Sequence, residues 1–404
     1  MGGSKKDNRT GTHRVIAEVD RLVRLARTRG ASDMHLEPTA DGLTVRMRLD
    51  GVLQEVETLS ADLVRPVVAR LKFLADLLTY RHDVPQEGRL RAEDADGMGD
   101  LRVSTFPTIH GERVVVRFFD QDRAAFELES LGFPTGALEG LRHAISGTSG
   151  VVLLTGPAGS GKTTTLYAAV RQLVGRGTHH VHVITIEDPV ESILTGVTQT
   201  QVNPAAGLTY ATALRSLLRQ DPEVVMVGEI RDRETAEIVM QAGLTGHLVL
   251  STLHGGNVAT VIARLLEMGL EPYVVTSSLK AVLAMRLVRR LCERCRREGP
   301  EVSVRTSGRE FRTGTFEPGS CDTCGGTGFS GRLPVVEFTE LGGELKKCIL
   351  ASADSDTLAA QLESERMHTL LEAGIELVDA GKTPVSELNR VLGPLRIKDD
   401  ADDR

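Results

Sequence analysis

The sequence predicts an α/β fold in which a mainly parallel sheet is covered by helices, with a smaller α+β domain in front of it. Three observations predict this. From Gly150 onward the short apolar runs "VVLLTG", "VHVITIE", "EVVMVGE" and "HLVLST" alternate with helical stretches, and strands buried on both faces read as such runs. Between the first run and the helical "TTLYAAVRQLV" lies "GPAGSGKTTT", Gly156 to Thr165, a glycine-rich loop in strand-loop-helix context. Before residue 120 the texture differs: apolar and basic residues alternate, the pattern of strands with one buried face.

In chain order, the polar "MGGSKKDNRTGT" over 1–12 predicts a disordered start and lacks the apolar stretch of a secretory signal, which makes the cytoplasm the default compartment. Val15, Val19, Leu22, Val23 and Ala26 recur at helical spacing, and Gly30 supplies a stop. "LTVRMRLDGVLQEV" predicts a hairpin about its DG turn, with Leu43, Val45, Met47 and Leu49 on the core face and Arg46 and Arg48 on the other. "LVRPVVARLKFLADLL" reads as an amphipathic helix and "LRVSTFPTIHGERVVVRFFD" as two strands about a turn, completing an α+β domain over 13–120. A linker over 121–136 leads to the core over 137–290. A Cys-, Gly- and Arg-rich element follows over 291–334, then a helical region over 335–395 and an acidic tail over 396–404.

Composition narrows the function. At 404 residues, 41% hydrophobic and 25% charged, the chain can build two or three cores, and no apolar run is long enough to span a bilayer. A net charge of -7, 3% aromatics and no tryptophan disfavour general nucleic-acid binding through charge and stacking.

The glycine-rich loop matches G-x-x-x-x-G-K-[ST]. Gly156, Pro157, Ala158, Gly159, Ser160 and Gly161 would wrap phosphates with backbone N–H groups at a helix N-terminus, with Thr164 alongside. Lys162 would reach the β and γ phosphates of ATP, and Thr163 would bind Mg²⁺. Two acidic strand ends follow. Glu187 and Asp188 close "VITIEDPVE", by itself readable as a solvated acidic turn, and Glu229 closes "PEVVMVGEIRD". Glu229 is the expected holder of Mg²⁺ through water, and Glu187 the better candidate to orient the attacking water.

"CERC" and "CDTC" place Cys292, Cys295, Cys321 and Cys324 as two C-x-x-C knuckles, the spacing of a tetrathiolate zinc site, with redox pairs or free thiols as the alternatives. Cys348 is left as a small buried hydrophobe. His247 and His254 flank an apolar run in "TGHLVLSTLH", and on a strand their odd separation puts the rings on opposite faces, which argues against one shared metal.

The order of these boxes resembles the type II secretion and type IV pilus assembly ATPases. "GPAGSGKTTTLYA", "ITIEDPVE", "LRQDPEVVMVGEIRDRETAEI" and "LTGHLVLSTLH" fall in family order, and "DMHLEP", "VRMRLDG", "VPQEGRL" and "RVSTFPTIHGERVVVRF" extend the match through the first domain, from about residue 13 to 393. The resemblance implies a RecA-like P-loop ATPase core, an N-terminal α+β (PAS-like) domain and a small tetracysteine zinc element. It implies a homo-hexamer that hydrolyses ATP with Mg²⁺ to drive pilus or pseudopilus assembly. The ring would work in the cytoplasm at the inner-membrane face, through an inner-membrane platform protein and without direct nucleic-acid contact. A retraction or DNA-uptake motor is the alternative within the class, and a nucleic-acid translocase the alternative outside it.

By the same resemblance His254 approaches the γ-phosphate while His247 shapes the local fold. Arg102 and Arg117, with Arg113 on the same strand face as Arg117, supply arginine fingers; read alone, these are solvated strand arginines. After His254, "GGNVAT" replaces the family's usual "TNDAA", so the capping of the next helix is where this chain departs.

Overall fold

The computed structural model describes residues 4–90, 100–118, 127–175, 181–306, 309–365 and 367–399. The chain divides into two compact units, Met1–Gln121 and Asp122–Arg404.

The first unit runs α1 (Ser4–Thr28), β1 (Asp33–Pro38), β2 (Gly42–Leu49), β3 (Val52–Ser60), α2 (Val64–Leu74), β4 (Gln86–Leu90), β5 (Leu101–Thr108) and β6 (Gly111–Phe118). Its six strands form one antiparallel sheet in the order β3-β2-β1-β6-β5-β4. The DG turn joins β2 to β3 with Asp50 at φ 48 and Gly51 at φ 85, the doubly left-handed geometry of a tight hairpin. Val19, Leu22, Val23 and Ala26 of α1 and Val67, Val68 and Leu71 of α2 are buried with Met34, Leu36, Val45, Met47, Val114 and Val116 of the sheet. Strand alternation sends Asp33, His35, Glu37, Arg46, Arg48, Arg102, Arg113 and Arg117 to the other face. Of the expected disordered start over 1–12, residues 1–3 lie outside the described residues and 4–12 fall within α1, where no proline interrupts the helix.

The second unit runs α3 (Thr135–Ser146), β7 (Gly150–Thr155), α4 (Lys162–Val174), β8 (Val183–Glu187), β9 (Thr198–Gln201), α5 (Tyr210–Leu217), β10 (Val224–Val227), α6 (Arg233–Leu244), β11 (Leu248–Leu253), α7 (Val258–Glu267), α8 (Pro272–Ser278) and β12 (Leu279–Leu291). Then come β13 (Arg297–Thr306), β14 (Arg309–Glu317), β15 (Phe329–Glu340), α9 (Gly343–Leu350), α10 (Ser355–Ser364), α11 (Leu370–Asp379), α12 (Val385–Leu392) and β16 (Arg396–Asp399). The main sheet has the order β15-β12-β7-β11-β10-β8-β9, parallel except for β15. Side chains alternating along its buried strands feed a core on each side: Leu153, Val225 and Val249 in one, Leu154, Met226 and Leu250 in the other.

Two expected boundaries move. Residues 335–340 belong to β15, paired along β12, so the helical region begins only at Gly343. Arg396–Asp399, assigned to an acidic tail, is β16 and pairs antiparallel with β13. Part of the expected linker, 121–126, lies outside the described residues, and α3 begins at Thr135, inside the remainder.

Candidate active site

The parallel strands deliver their C-terminal ends to one edge of the sheet, where open α/β folds bind ligands. The loop after β7 turns into α4 with Gly156, Gly159 and Gly161 at φ 150, 75 and 97. A Cβ on Gly156 would stand 2.4 Å from the Met285 carbonyl oxygen, so only glycine fits this approach to β12. Lys162 Nζ donates to the carbonyls of Gly156 and Pro157 at 2.7 and 2.8 Å. Burial pushes its ammonium below the ordinary lysine range and Arg286 adds to this, while the Glu229 charge opposes both. Ser160 Oγ is buried with no partner among the described residues, while Thr163 is exposed.

The acidic residues separate. Glu187 ends β8 only 3% exposed, and its carboxylate accepts from Tyr167 Oη, from Thr185 Oγ1 at 2.6 Å and from Gln199 Nε2 at 3.0 Å. Asp188 and Glu229 are the more open carboxylates. Arg231 joins them, donating from Nη1 to Asp188 at 3.0 Å and from Nε to Glu229, and it lies over the Tyr210 ring. His254, just past β11, brings Nε2 to 3.3 Å from Glu229 Oε2. His247 stands at the other end of the same strand, donating through Nδ1 to Ala242 O at 3.2 Å and so closing the C-terminal turn of α6. At about 3.3 Å per strand residue the two rings are roughly 20 Å apart, and no single metal reaches both.

The loop after His254 is held from every side. Thr155 Oγ1 donates to Gly255 O at 3.1 Å, Arg286 Nη2 to Gly256 O at 2.6 Å and Arg264 to His254 O at 3.0 Å. "GGNVAT" keeps a full capping box: Asn257 accepts from Thr260 N, and Thr260 Oγ1 from Asn257 N, both at 2.9 Å. Beneath it Glu337 of β15, 5% exposed, accepts from Val258 N at 2.8 Å and Leu370 N at 3.3 Å, tying the first turns of α7 and α11 together. Burial raises the Glu337 carboxyl, and the two N–H donors oppose this.

On the open face of the first unit each expected arginine is held by acid. Arg117 donates through Nε to Asp33 Oδ1 at 2.9 Å, and Arg102 through Nε to Glu87. Arg113 differs. Its Nη2 is spent on His35 Nδ1 and Glu37 Oε1, both at 3.0 Å. Burial, helped by the Arg113 charge, pushes His35 below the usual imidazole range, which keeps Nδ1 an acceptor.

Cys292, Cys295, Cys321 and Cys324 converge with all sulfurs within 4.8 Å of one another. The separations of 3.8 Å for Cys292 to Cys321 and 3.7 Å for both Cys295 to Cys324 and Cys321 to Cys324 fit a tetrathiolate, since a tetrahedral ion with bonds of about 2.3 Å sets its sulfurs roughly 3.8 Å apart. Gly328 N donates to Cys324 Sγ at 3.2 Å.

The family model for the type II/IV secretion system protein matches residues 8–390, nearly the whole chain. The chain belongs to the type II/IV secretion system protein family. It is an α/β P-loop ATPase. The type II secretion system protein HxcR of Pseudomonas aeruginosa is 41% identical over 377 residues, covering 93% of this chain and 77% of that one. The type IV pilus assembly ATPase PilB of Thermus thermophilus is 40% identical over 376 residues, covering 92% of this chain and 42% of that one. In fold, the chain resembles the Legionella pneumophila ATPase DotB at a TM-score of 0.67 and 19% identity, over 93% of this chain and 95% of that one. It resembles the pilus retraction motor PilT with bound ADP at 0.60 and 24%, over 91% and 94%. Among the described residues of this secretion-family ATPase, no helix is long and apolar enough to cross a membrane.

Sequence reasoning missed several residues of the site. Tyr167 sits one helical turn after Thr163, a signal that spacing offers. Arg286 and Glu337 gave none: one is an arginine among several in "MRLVRRL", the other a glutamate in an apolar strand, and only the pairing of β12 with β7 and β15 brings them in.

Proposed function

We propose that this ATPase is the Mg²⁺-dependent motor of a homo-hexameric ring that powers pilus or pseudopilus assembly, docked through an inner-membrane platform protein at the cytoplasmic face. The observation that carries it is the convergence of Lys162, Glu229 and His254 at one sheet edge, together with relatives named as type II secretion and pilus assembly proteins. Residues Gly156 to Thr164 hold the triphosphate through backbone N–H groups and Lys162, whose present acceptors are neutral carbonyls that an anionic oxygen outcompetes. Thr163, and Glu229 through water, would hold Mg²⁺, which when bound would supply positive charge to the β and γ phosphates. Glu229 is the working carboxylate. Glu187, enclosed by three donors, sets the position of Tyr167 and Gln199 behind the site and is not the residue that orients water. Arg102 and Arg117 meet the charge that develops on the γ-phosphoryl group. The four cysteines would hold Zn²⁺ as thiolates, and the ion would staple the element between β12 and β15.

Reconstitution tests the reading. Hydrolysis of Mg-ATP by the full chain is expected to rise on vesicles carrying the platform protein and to be unchanged by single-stranded DNA. Stimulation by DNA with no response to the platform would assign the chain to the translocases instead.

A further inference from the structure

The register of the first sheet places four arginines and one aspartate in a single cross-strand row: Arg89 opposite Arg102, Arg102 opposite Arg117, Arg117 opposite Asp33, and Asp33 opposite Arg48. Directly opposed residues point to the same face, and like charges placed that way repel. Such a row persists only if something holds the guanidinium groups apart and aims them. Asp33 sits inside the row, 6% exposed, with Arg117 Nε on Oδ1 at 2.9 Å, Ser32 Oγ on Oδ2 at 2.8 Å and Arg48 Nε 3.6 Å from Oδ2. Glu87 holds Arg102 through the same atom, Nε.

The atom matters. A guanidinium gripped by an Nη edge has spent part of the fork that recognises phosphate, as Arg113 has on His35 and Glu37. One gripped at Nε keeps both Nη groups, and those of Arg102 and Arg117 have no partner among the described residues. We infer that Asp33, and Glu87 beside it, are positioning residues that clamp Arg117 and Arg102 at Nε and present their intact forks to the γ-phosphoryl group. This rests on the reading of those arginines as fingers. It adds that carboxylates which never touch nucleotide set the turnover rate, and that the buried Asp33 does so more than the exposed Glu87, whose ion pair water screens.

A double-mutant cycle on the full chain tests it. Asp33→Ala is expected to lower kcat about 10- to 100-fold, the scale of misplacing a catalytic group by about 1 Å, with KM for ATP and the affinity for a fluorescent ATP analogue within about twofold of wild type. In an Arg117→Ala background the same substitution is expected to cost nothing more. A kcat within twofold of wild type for Asp33→Ala, or a loss that adds in full to that of Arg117→Ala, overturns the inference and leaves the finger reading standing. Full turnover by Arg117→Ala itself overturns both. Should Asp33→Ala fail to fold, Asp33→Asn and the surface pair Glu87→Gln with Arg102→Ala run the same cycle and are judged the same way.

Discussion

Glu187, the last residue of β8, and Glu229, two residues beyond β10, have opposite surroundings, and their variants should rank accordingly. Glu229→Gln is expected to reduce turnover about 100-fold or more while nucleotide still binds, and Glu187→Gln about 10-fold or less, measured as steady-state kcat beside equilibrium binding. The reverse ranking would return the attacking water to Glu187. The histidines divide in the same way. His254 faces Glu229 across 3.3 Å, whereas His247 serves a helix end, so His254→Ala should depress kcat and His247→Ala chiefly the melting temperature.

Among the elements, α12 is locked to β12 by one carboxylate. Glu387, 1% exposed in its side chain, takes Arg289 Nη2 at 2.8 Å and Arg390 Nη2 at 2.5 Å. Burial alone would raise its carboxyl, but hydrogen bonds from Arg390 and Arg289 carry it down to about 2 from an ordinary 4.5. A depressed carboxyl stabilises the fold fully above the unfolded value and loses that contribution as pH falls through the folded one. Melting temperature should therefore drop between about pH 4.5 and 2 in wild type, and Glu387→Gln should remove that increment from the profile. The cysteine element depends on its sulfurs in a different way. Elemental analysis of the purified chain should find one zinc per chain, and Cys292→Ser with Cys321→Ser should abolish it. Metal-free wild type would exclude the site.

For the whole molecule, each unit has a buried core of its own, so a fragment starting at Asp122 should fold and bind ATP. Without Arg102 and Arg117 its turnover should fall about 1,000-fold, the usual worth of an arginine finger. A fragment as fast as the intact chain would end the motor reading. How much of this was legible in the sequence follows from how local each feature is. Gly156 to Thr163 and the two C-x-x-C pairs are contiguous, so their spacing alone exposed them. The enclosure of Glu187 by Tyr167 and Gln199, the clasp of Arg286 on Gly256 and the bridging carboxylate of Glu337 depend on residues far apart in the chain, which no window of sequence contains. The polar stretch 4–12 carries no apolar period of its own, yet it continues a helix stabilised by Val19 and Leu22, and extending a formed helix costs little.

Strand β12 carries Arg286, which grips the loop after His254, and ends at Leu291, next to Cys292; β15 runs antiparallel beside it, with one register shift between Arg289 and Leu291. Two hydrogen-bonded strands resist bending far better than a loop does. The cysteine knuckles and the nucleotide loops are therefore joined by one paired ribbon about 20 Å long, so a displacement at the outer end is carried along it toward the inner end.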